Sequence, residues 1–304
     1  VTIEVAIRTG SAVVFAADSK LTTSGPMGID ENGQPVFVEQ TYDNATKLVH
    51  DRSKRLMAMV AGHANVGHRT ATDFIATWSM KDDLLQDSLP DSVEAIVKTL
   101  VNEMMKEKVS FWETAGVPPE RWPGPVLLIS TPDQDRKVPR VWKADLGGNA
   151  PRVDEILKGP HIYLEGSFRD AFTLLYGYDP ELLESVRKNL AVEEKPFANA
   201  VRNRSVLSPI NRLNLWSIPL QDAIDLAVFL ATVQVEMDRF LPGPPACGGP
   251  IDGMILQMVP QAEIIVLPGK LVALQNATLA EKDTIRRRDG DTIIATVTAL
   301  NFLA

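Results

Sequence analysis

VTIEVAIRTGSAVVFAADS, residues 1–19, decides how the rest of the chain is read. Ile3, Val5 and Ile7 alternate with Thr2, Glu4 and Arg8 around a small Ala6, the period-two pattern of a half-buried strand. Thr9-Gly10-Ser11 is a turn, and the apolar run from Ala12 to Ala17 is a second strand, so the segment predicts a β-hairpin with Asp18 leaving its second strand. A hydroxyl amino acid, Thr2, stands one bond from the terminus and immediately before the first strand. A threonine with a free α-amine carries its nucleophile and its base in one residue, because the amine can take the hydroxyl proton directly or through one water.

Composition bounds the answer without producing it. At 304 residues and 45% hydrophobic content the chain can bury a large core. A net charge of −8 with no basic block argues against nucleic acid as a partner. One cysteine excludes an internal disulfide, and no charged-then-apolar leader or long apolar span is present, so the expected location is cytoplasmic with no membrane partner. His50, His63, His68 and His161 show no metal-ligand spacing, and neither a metal nor another cofactor is expected. Cys247 reads as a small loop residue, since no histidine stands in a recognisable partnership with it.

Further along, residues 66–80 and 91–112 read as amphipathic helices joined at Leu89-Pro90-Asp91-Ser92, with Asp91 or Ser92 as the cap. Pro118, Pro119, Pro123 and Pro125 stop helix, and residues 126–130, 140–144, 152–157 and 161–164 read as a run of strands. Two strand blocks, each followed by paired helices, predict two sheets face to face with helices outside. Residues 24–44, rich in glycine and proline, read as a loop or hairpin at a cleft rim, and 180–190 as a charged helix. The tail, 268–304, ends in the alternating DTIIATVTALNFLA, expected to pad a sheet edge or reach a neighbour.

The opening segment is joined by NATKLVHDRSKRLMAMVAGHANVG (44–67), HIYLEGSFRDAFTLLYGYDPEL (161–182), and IPLQDAIDLAVFLATVQVEMDRF (218–240) followed by CGGPIDGMIL (247–256). In that order they resemble the proteasome β-type subunits of the N-terminal-nucleophile (Ntn) hydrolase family, across most of residues 2–267. The resemblance implies an α+β fold, the four-layer αββα sandwich. It also implies one domain over 1–267 with insertions at about 24–44 and 178–217, and a C-terminal extension over 268–304. The implied activity is that of a threonine-type endopeptidase or amide hydrolase acting through an acyl-ester on Thr2.

Carried over residue by residue, Thr2 is the nucleophile, Asp18 the carboxylate and Lys47 the cation between them. An ammonium near the hydroxyl favours its alkoxide and lowers the proton affinity of the neighbouring amine. Gly62 supplies an oxyanion-hole N–H, Ser167 is a supporting residue, and Lys20, Thr22 and Ala64 sit in the substrate cleft. The resemblance implies as partners a peptide or protein substrate and further copies of the chain in a homo-oligomer such as a ring. Two alternatives stay open: a noncatalytic structural subunit, and a transpeptidase or ligase on the same fold.

The chain departs from the family at the terminus and in the supporting shell. While Val1 is attached, the Thr2 nitrogen is an amide and not a base. Val1 is an alternative start read as methionine and removed, a minimal propeptide, or the mark of an inactive chain, and the first is the expectation. The Glu165-Gly166-Ser167 turn aligns with a one-residue ambiguity. Cys247 stands where a serine is expected and a proline where an aspartate is expected, leaving Asp238 to substitute only from the end of the preceding helix.

Overall fold

The structure is a computed structural model that describes residues 2–29, 35–78, 92–133, 138–189, 209–242, 245–258 and 261–267. The chain opens with the hairpin β1 (Ile3–Arg8) and β2 (Ala12–Asp18), closed where the Thr9 N–H donates to the Ala12 carbonyl at 2.8 Å. A second hairpin, β3 (Leu21–Ile29) and β4 (Pro35–Tyr42), fills the segment expected as a loop or hairpin. Next come β5 (Leu48–His50), β6 (Met57–Gly62), and the short pair β7 (Asn65–Val66) and β8 (Arg69–Thr70). Helices α1 (Ala71–Thr77) and α2 (Ser92–Thr114) lead to β9 (Pro125–Asp133), β10 (Val138–Asp145), β11 (Arg152–Leu157) and β12 (His161–Gly166). The chain continues through α3 (Arg169–Tyr176), α4 (Pro180–Asn189), α5 (Leu220–Asp238), β13 (Ile251–Gln257) and β14 (Glu263–Val266).

The result is a mixed α/β architecture with two five-stranded sheets, β12-β1-β2-β13-β14 and β11-β10-β9-β6-β5. Three apolar clusters assign a layer to each face. Ile3, Val5 and Ile7 pack with Ala223, Ala227 and Leu230 of α5 and Leu175 of α3. Val60, Leu127 and Ile129 of the second sheet pack with Phe74 of α1 and Val97, Leu100 and Met104 of α2. Between the sheets, Ala6, Val13 and Phe15 meet Met57, Met59, Leu128 and Val141. Each fully buried side chain of this size stabilises the fold by roughly 1.5–3 kcal/mol through lost apolar exposure.

This layering corrects the reading of β1 as half-buried. All six of its residues are buried, and Glu4 is 0% exposed. The polar half of the alternation faces the other sheet and not solvent, because strand alternation puts Thr2, Glu4 and Arg8 on the side of Ala6, which belongs to the inter-sheet cluster. Arg8 accordingly reaches the Leu157 carbonyl in β11 of the second sheet.

The helices also begin differently from expectation. Helix 66–80 starts five residues later, at Ala71, because β7 and β8 occupy its first turn and Thr70 is the cap, accepting from the Asp73 N–H at 3.0 Å. The second helix begins at Ser92, while Asp91, Met80 and the tail over 268–304 lie outside the described residues. No helix among the described residues is long and apolar enough to cross a membrane.

Candidate active site

Of the eight residues singled out from the sequence, Thr2, Asp18, Lys47 and Ser167 meet at one end of the first sheet, and the Lys20 backbone joins them through Asp18. Thr2 precedes β1 and Asp18 ends β2, so the hairpin itself places the hydroxyl beside the carboxyl: Thr2 Oγ1 donates to Asp18 Oδ1. Lys47 arrives from the second sheet, one residue before β5, where its carbonyl accepts from the Val60 N–H at 3.0 Å. Its Nζ donates to Thr2 Oγ1 and, at 2.7 Å, to Asp18 Oδ1. All three residues are buried, with exposures of 4%, 0% and 7% in chain order. Ser167 is the fourth, and it meets Thr2 through its backbone, its N–H donating to the Thr2 carbonyl at 2.6 Å.

Asp18 is the hub. Besides the hydroxyl and the ammonium, it accepts the Ile3 N–H at 3.0 Å, the Lys20 N–H at 3.3 Å and the Gly248 N–H at 2.9 Å. A carboxylate so surrounded by donors is fixed in direction and keeps Lys47 pointed at one oxygen of Thr2. The chemistry available to such a hydroxyl is nucleophilic attack, with the ammonium stabilising the alkoxide as it forms.

Close backbone approach explains one glycine. A Cβ on Gly166, whose φ is +80°, would lie 2.0 Å from the Thr2 carbonyl oxygen. Only glycine allows β12 to run against the residue before β1 in this way.

The supporting shell is built from the end of α5 and the loop that follows it. Asp238, at the end of α5, accepts from the Cys247 N–H at 2.8 Å and from the Gln234 amide at 3.1 Å. Gln234 is 1% exposed and its carbonyl accepts from the Asp170 N–H at 2.9 Å, at the start of α3. The loop after α5 is therefore held on one side by Asp238 and on the other by Asp18, through the consecutive N–H groups of Cys247 and Gly248. Cys247 is fully buried, and desolvation, with the Asp18 and Asp238 carboxylates nearby, pushes its thiol pKa up, so that it stays protonated. Its Sγ lies 3.9 Å from the Ser167 carbonyl, as a weak donor.

The other expected residues fall in different places. Gly62 ends β6 at φ +72°, two residues beyond the Val60 that pairs with Lys47. The Ala64 carbonyl accepts from the Ala71 N–H at 2.7 Å and so anchors α1. Thr22 is exposed on β3, opposite Thr41. Lys20 is 6% exposed and its ammonium donates to the Pro245 carbonyl. A groove of about 770 Å³ opens beside Gly166 and Ser167 along α4, but Thr2, Asp18 and Lys47 do not line it. Among the described residues no cluster of three His, Cys, Asp or Glu side chains is arranged to hold a metal.

Sequence reasoning missed two participants. Gly248 was visible only as part of a Gly-Gly loop, and Gln234 only as one of several polar residues in a largely apolar helix.

No protein-family model and no curated protein matches the sequence. Among solved structures, the chain is similar to the Anbu (Gly-1) mutant from Hyphomicrobium sp. strain MC1, with 12% identity over 88% of each chain and a TM-score of 0.45. It is also similar to Anbu, described as an ancestral beta-subunit, from Yersinia bercovieri, with 15% identity over 86% of this chain and 82% of that one and a TM-score of 0.44. Likenesses this loose carry no argument, and the case for the site rests on its own geometry.

Proposed function

We propose that the chain is an N-terminal-nucleophile amide hydrolase of the proteasome β-subunit type, a threonine peptidase whose nucleophile is Thr2. The observation that carries the reading is the buried convergence of the Lys47 ammonium and the Asp18 carboxylate on one oxygen, Thr2 Oγ1. A buried ion pair gains little stability over apolar packing, whereas one aimed at a hydroxyl has a chemical use. The packing order of helices, sheet, sheet and helices is read as the four-layer αββα sandwich, and assembly as a homo-oligomer belongs to the same reading.

In the proposed cycle Thr2 Oγ1 attacks a substrate carbonyl while its proton passes to the Thr2 α-amine, and Lys47 stabilises the oxygen as it loses that proton. The Gly62 N–H serves the substrate oxyanion. The C–N bond then breaks, the amine leaves with the proton, and the acyl group remains on Thr2 as an ester. Water, deprotonated by the same amine, attacks the ester and frees the acid and the hydroxyl. An incoming amine in place of water makes the reaction a transpeptidation.

The mechanism requires Thr2 to be the first residue. A chain processed to begin at Thr2 should be acylated by an electrophilic peptide probe, detected by intact mass, while the same chain with a stable N-terminal extension should not. Thr2→Ala should fold and remain unlabelled. Equal labelling of the processed and extended chains, or of Thr2→Ala, would remove Thr2 and its amine from the mechanism, and absence of labelling in all of them would favour the noncatalytic subunit.

A further inference from the structure

Glu4 lies two residues from Thr2 on the same face of β1, between the sheets, and is 0% exposed. Neither of its carboxyl oxygens has a hydrogen-bond partner among the described residues. The groups around it come from four elements. Glu165 of β12 stands directly across from it, with Tyr163 on the same face of that strand, and Ala17 and then Asp18 lie on β2. From the second sheet come Lys47, leading into β5, and Lys143 of β10.

These charges form two ion pairs that cross from sheet to sheet. Lys47 pairs with Asp18 at 2.7 Å, and Lys143 pairs with Glu165 at 2.6 Å, where the Tyr163 hydroxyl also donates at 2.8 Å. Glu4 sits between the two pairs and belongs to neither. A carboxylate in that position would be desolvated, would accept no hydrogen bond and would face two other carboxylates. A neutral acid leaves both pairs balanced.

We propose that Glu4 is a positioning residue for the Thr2 centre that works as a neutral acid: with its proton in place Lys47 is committed to Asp18 and Thr2, and with the proton lost Glu4 competes for the Lys47 ammonium and disarms the nucleophile. The inference rests on Thr2 being the nucleophile. Desolvation, the largest influence on Glu4, raises its pKa well above the ordinary carboxyl range, with Glu165 and Asp18 acting in the same sense and Lys47 and Lys143 opposing. The device sets an alkaline limit on the site that is separate from titration of the Thr2 amine.

The test uses the chain beginning at Thr2 and its Glu4→Gln variant, which keeps the shape and cannot ionise. Acylation by an electrophilic peptide probe is followed from about pH 6 to pH 10. The variant should label within about threefold of the parent at pH 7, and its alkaline limb should lie higher by at least about one pH unit, which is a tenfold difference in rate on the falling limb. An unmoved limb in a chain that labels normally overturns the role of Glu4 and leaves Thr2 in place. A parent that labels at no pH overturns the Thr2 reading and the role given to Glu4 with it.

Infrared spectroscopy of the parent reads the proton itself. A protonated-carboxyl band should be present at pH 6, where an ordinary glutamate is ionised, and vanish in Glu4→Gln, and its absence from the parent overturns the proposal even if the variant does not fold. Thermal unfolding gives the sign independently. The unfolded chain releases this proton above about pH 4.3 and the folded chain keeps it, so the parent loses stability relative to Glu4→Gln as pH rises from there to the folded value. A Tm difference that is the same at pH 4 and pH 8 overturns the proposal.

Discussion

Asp238→Ala should yield a folded chain whose Thr2 reacts slowly. Asp238 is 4% exposed and accepts two hydrogen bonds, from the Cys247 N–H at 2.8 Å and the Gln234 amide at 3.1 Å. Removing a charged acceptor costs about 1.5–3 kcal/mol, and each buried donor left without a partner costs about 1–3 kcal/mol, so a destabilisation of about 3–5 kcal/mol is expected after partial relaxation. The effect on the site is a separate quantity. Cys247 is bonded to Gly248, whose N–H holds Asp18 Oδ2 at 2.9 Å. If releasing the loop removes that one hydrogen bond from the reacting geometry, the loss is again about 1.5–3 kcal/mol and acylation slows by about 10- to 150-fold. Asp238→Asn retains an acceptor for Cys247 but sets one amide NH₂ against another at Gln234, so both effects should be smaller. Denaturant midpoints measure the first quantity, and acylation rates in native buffer, where each variant is folded, measure the second. A folded Asp238→Ala chain acylated within about twofold of the parent would refute the view that the loop orients Asp18.

Variants at Lys47, Asp18 and Gly166 test neighbouring contacts. Lys47→Ala should slow acylation by about 10² to 10⁴ and destabilise the chain by about 3–5 kcal/mol by leaving Asp18 buried without its cation. Lys47→Arg should not restore the rate, and Asp18→Asn with Lys47→Met should recover most of the stability in a denaturation experiment but none of the labelling; labelling in the double variant would make the pair structural. Gly166→Ala places a Cβ against the Thr2 carbonyl at positive φ, which should cost at least about 1–3 kcal/mol in backbone strain and shift Thr2. Unchanged melting and labelling would show that β12 does not fix the nucleophile.

The β1–β2 hairpin was legible because an apolar run, a Thr-Gly-Ser turn and strict alternation agree, whereas α5 was reached through the family resemblance of residues 218–240. What alternation does not reveal is the identity of the second face. A polar face reads as a wet one, and here the residues Thr2, Glu4 and Arg8 look onto another sheet. Lys20, placed in the substrate cleft by the resemblance, donates from its ammonium to the Pro245 carbonyl, a contact between groups 225 residues apart. Lys47 precedes a strand of only three residues, too short for any periodicity, and it was reached through the family resemblance alone. The Asp18–Gly248 contact joins groups 230 residues apart, a pairing no local pattern contains.

Burial itself argues for chemistry at this seam. Between the sheets, Phe15, Met57, Met59 and Leu128 show that apolar packing is available and dense. Placing a buried ion pair, a partly exposed one and an unpartnered carboxyl at the same interface gains little stability over such packing, because desolvation offsets most of the Coulombic attraction of the buried pair and the carboxyl has no partner among the described residues. The charges are also not scattered along the interface. One pair ends on the hydroxyl of Thr2, the other flanks the strand next to it, and the unpaired acid lies between them. Local rules of core composition are broken where one oxygen is being oriented, and Asp18, the residue that orients it, is tied by hydrogen bonds to the first strand, the second sheet and the loop after α5. The site therefore forms only when all three have docked, and loosening any one of them, such as the Asp238 anchor, reaches Thr2 without touching it.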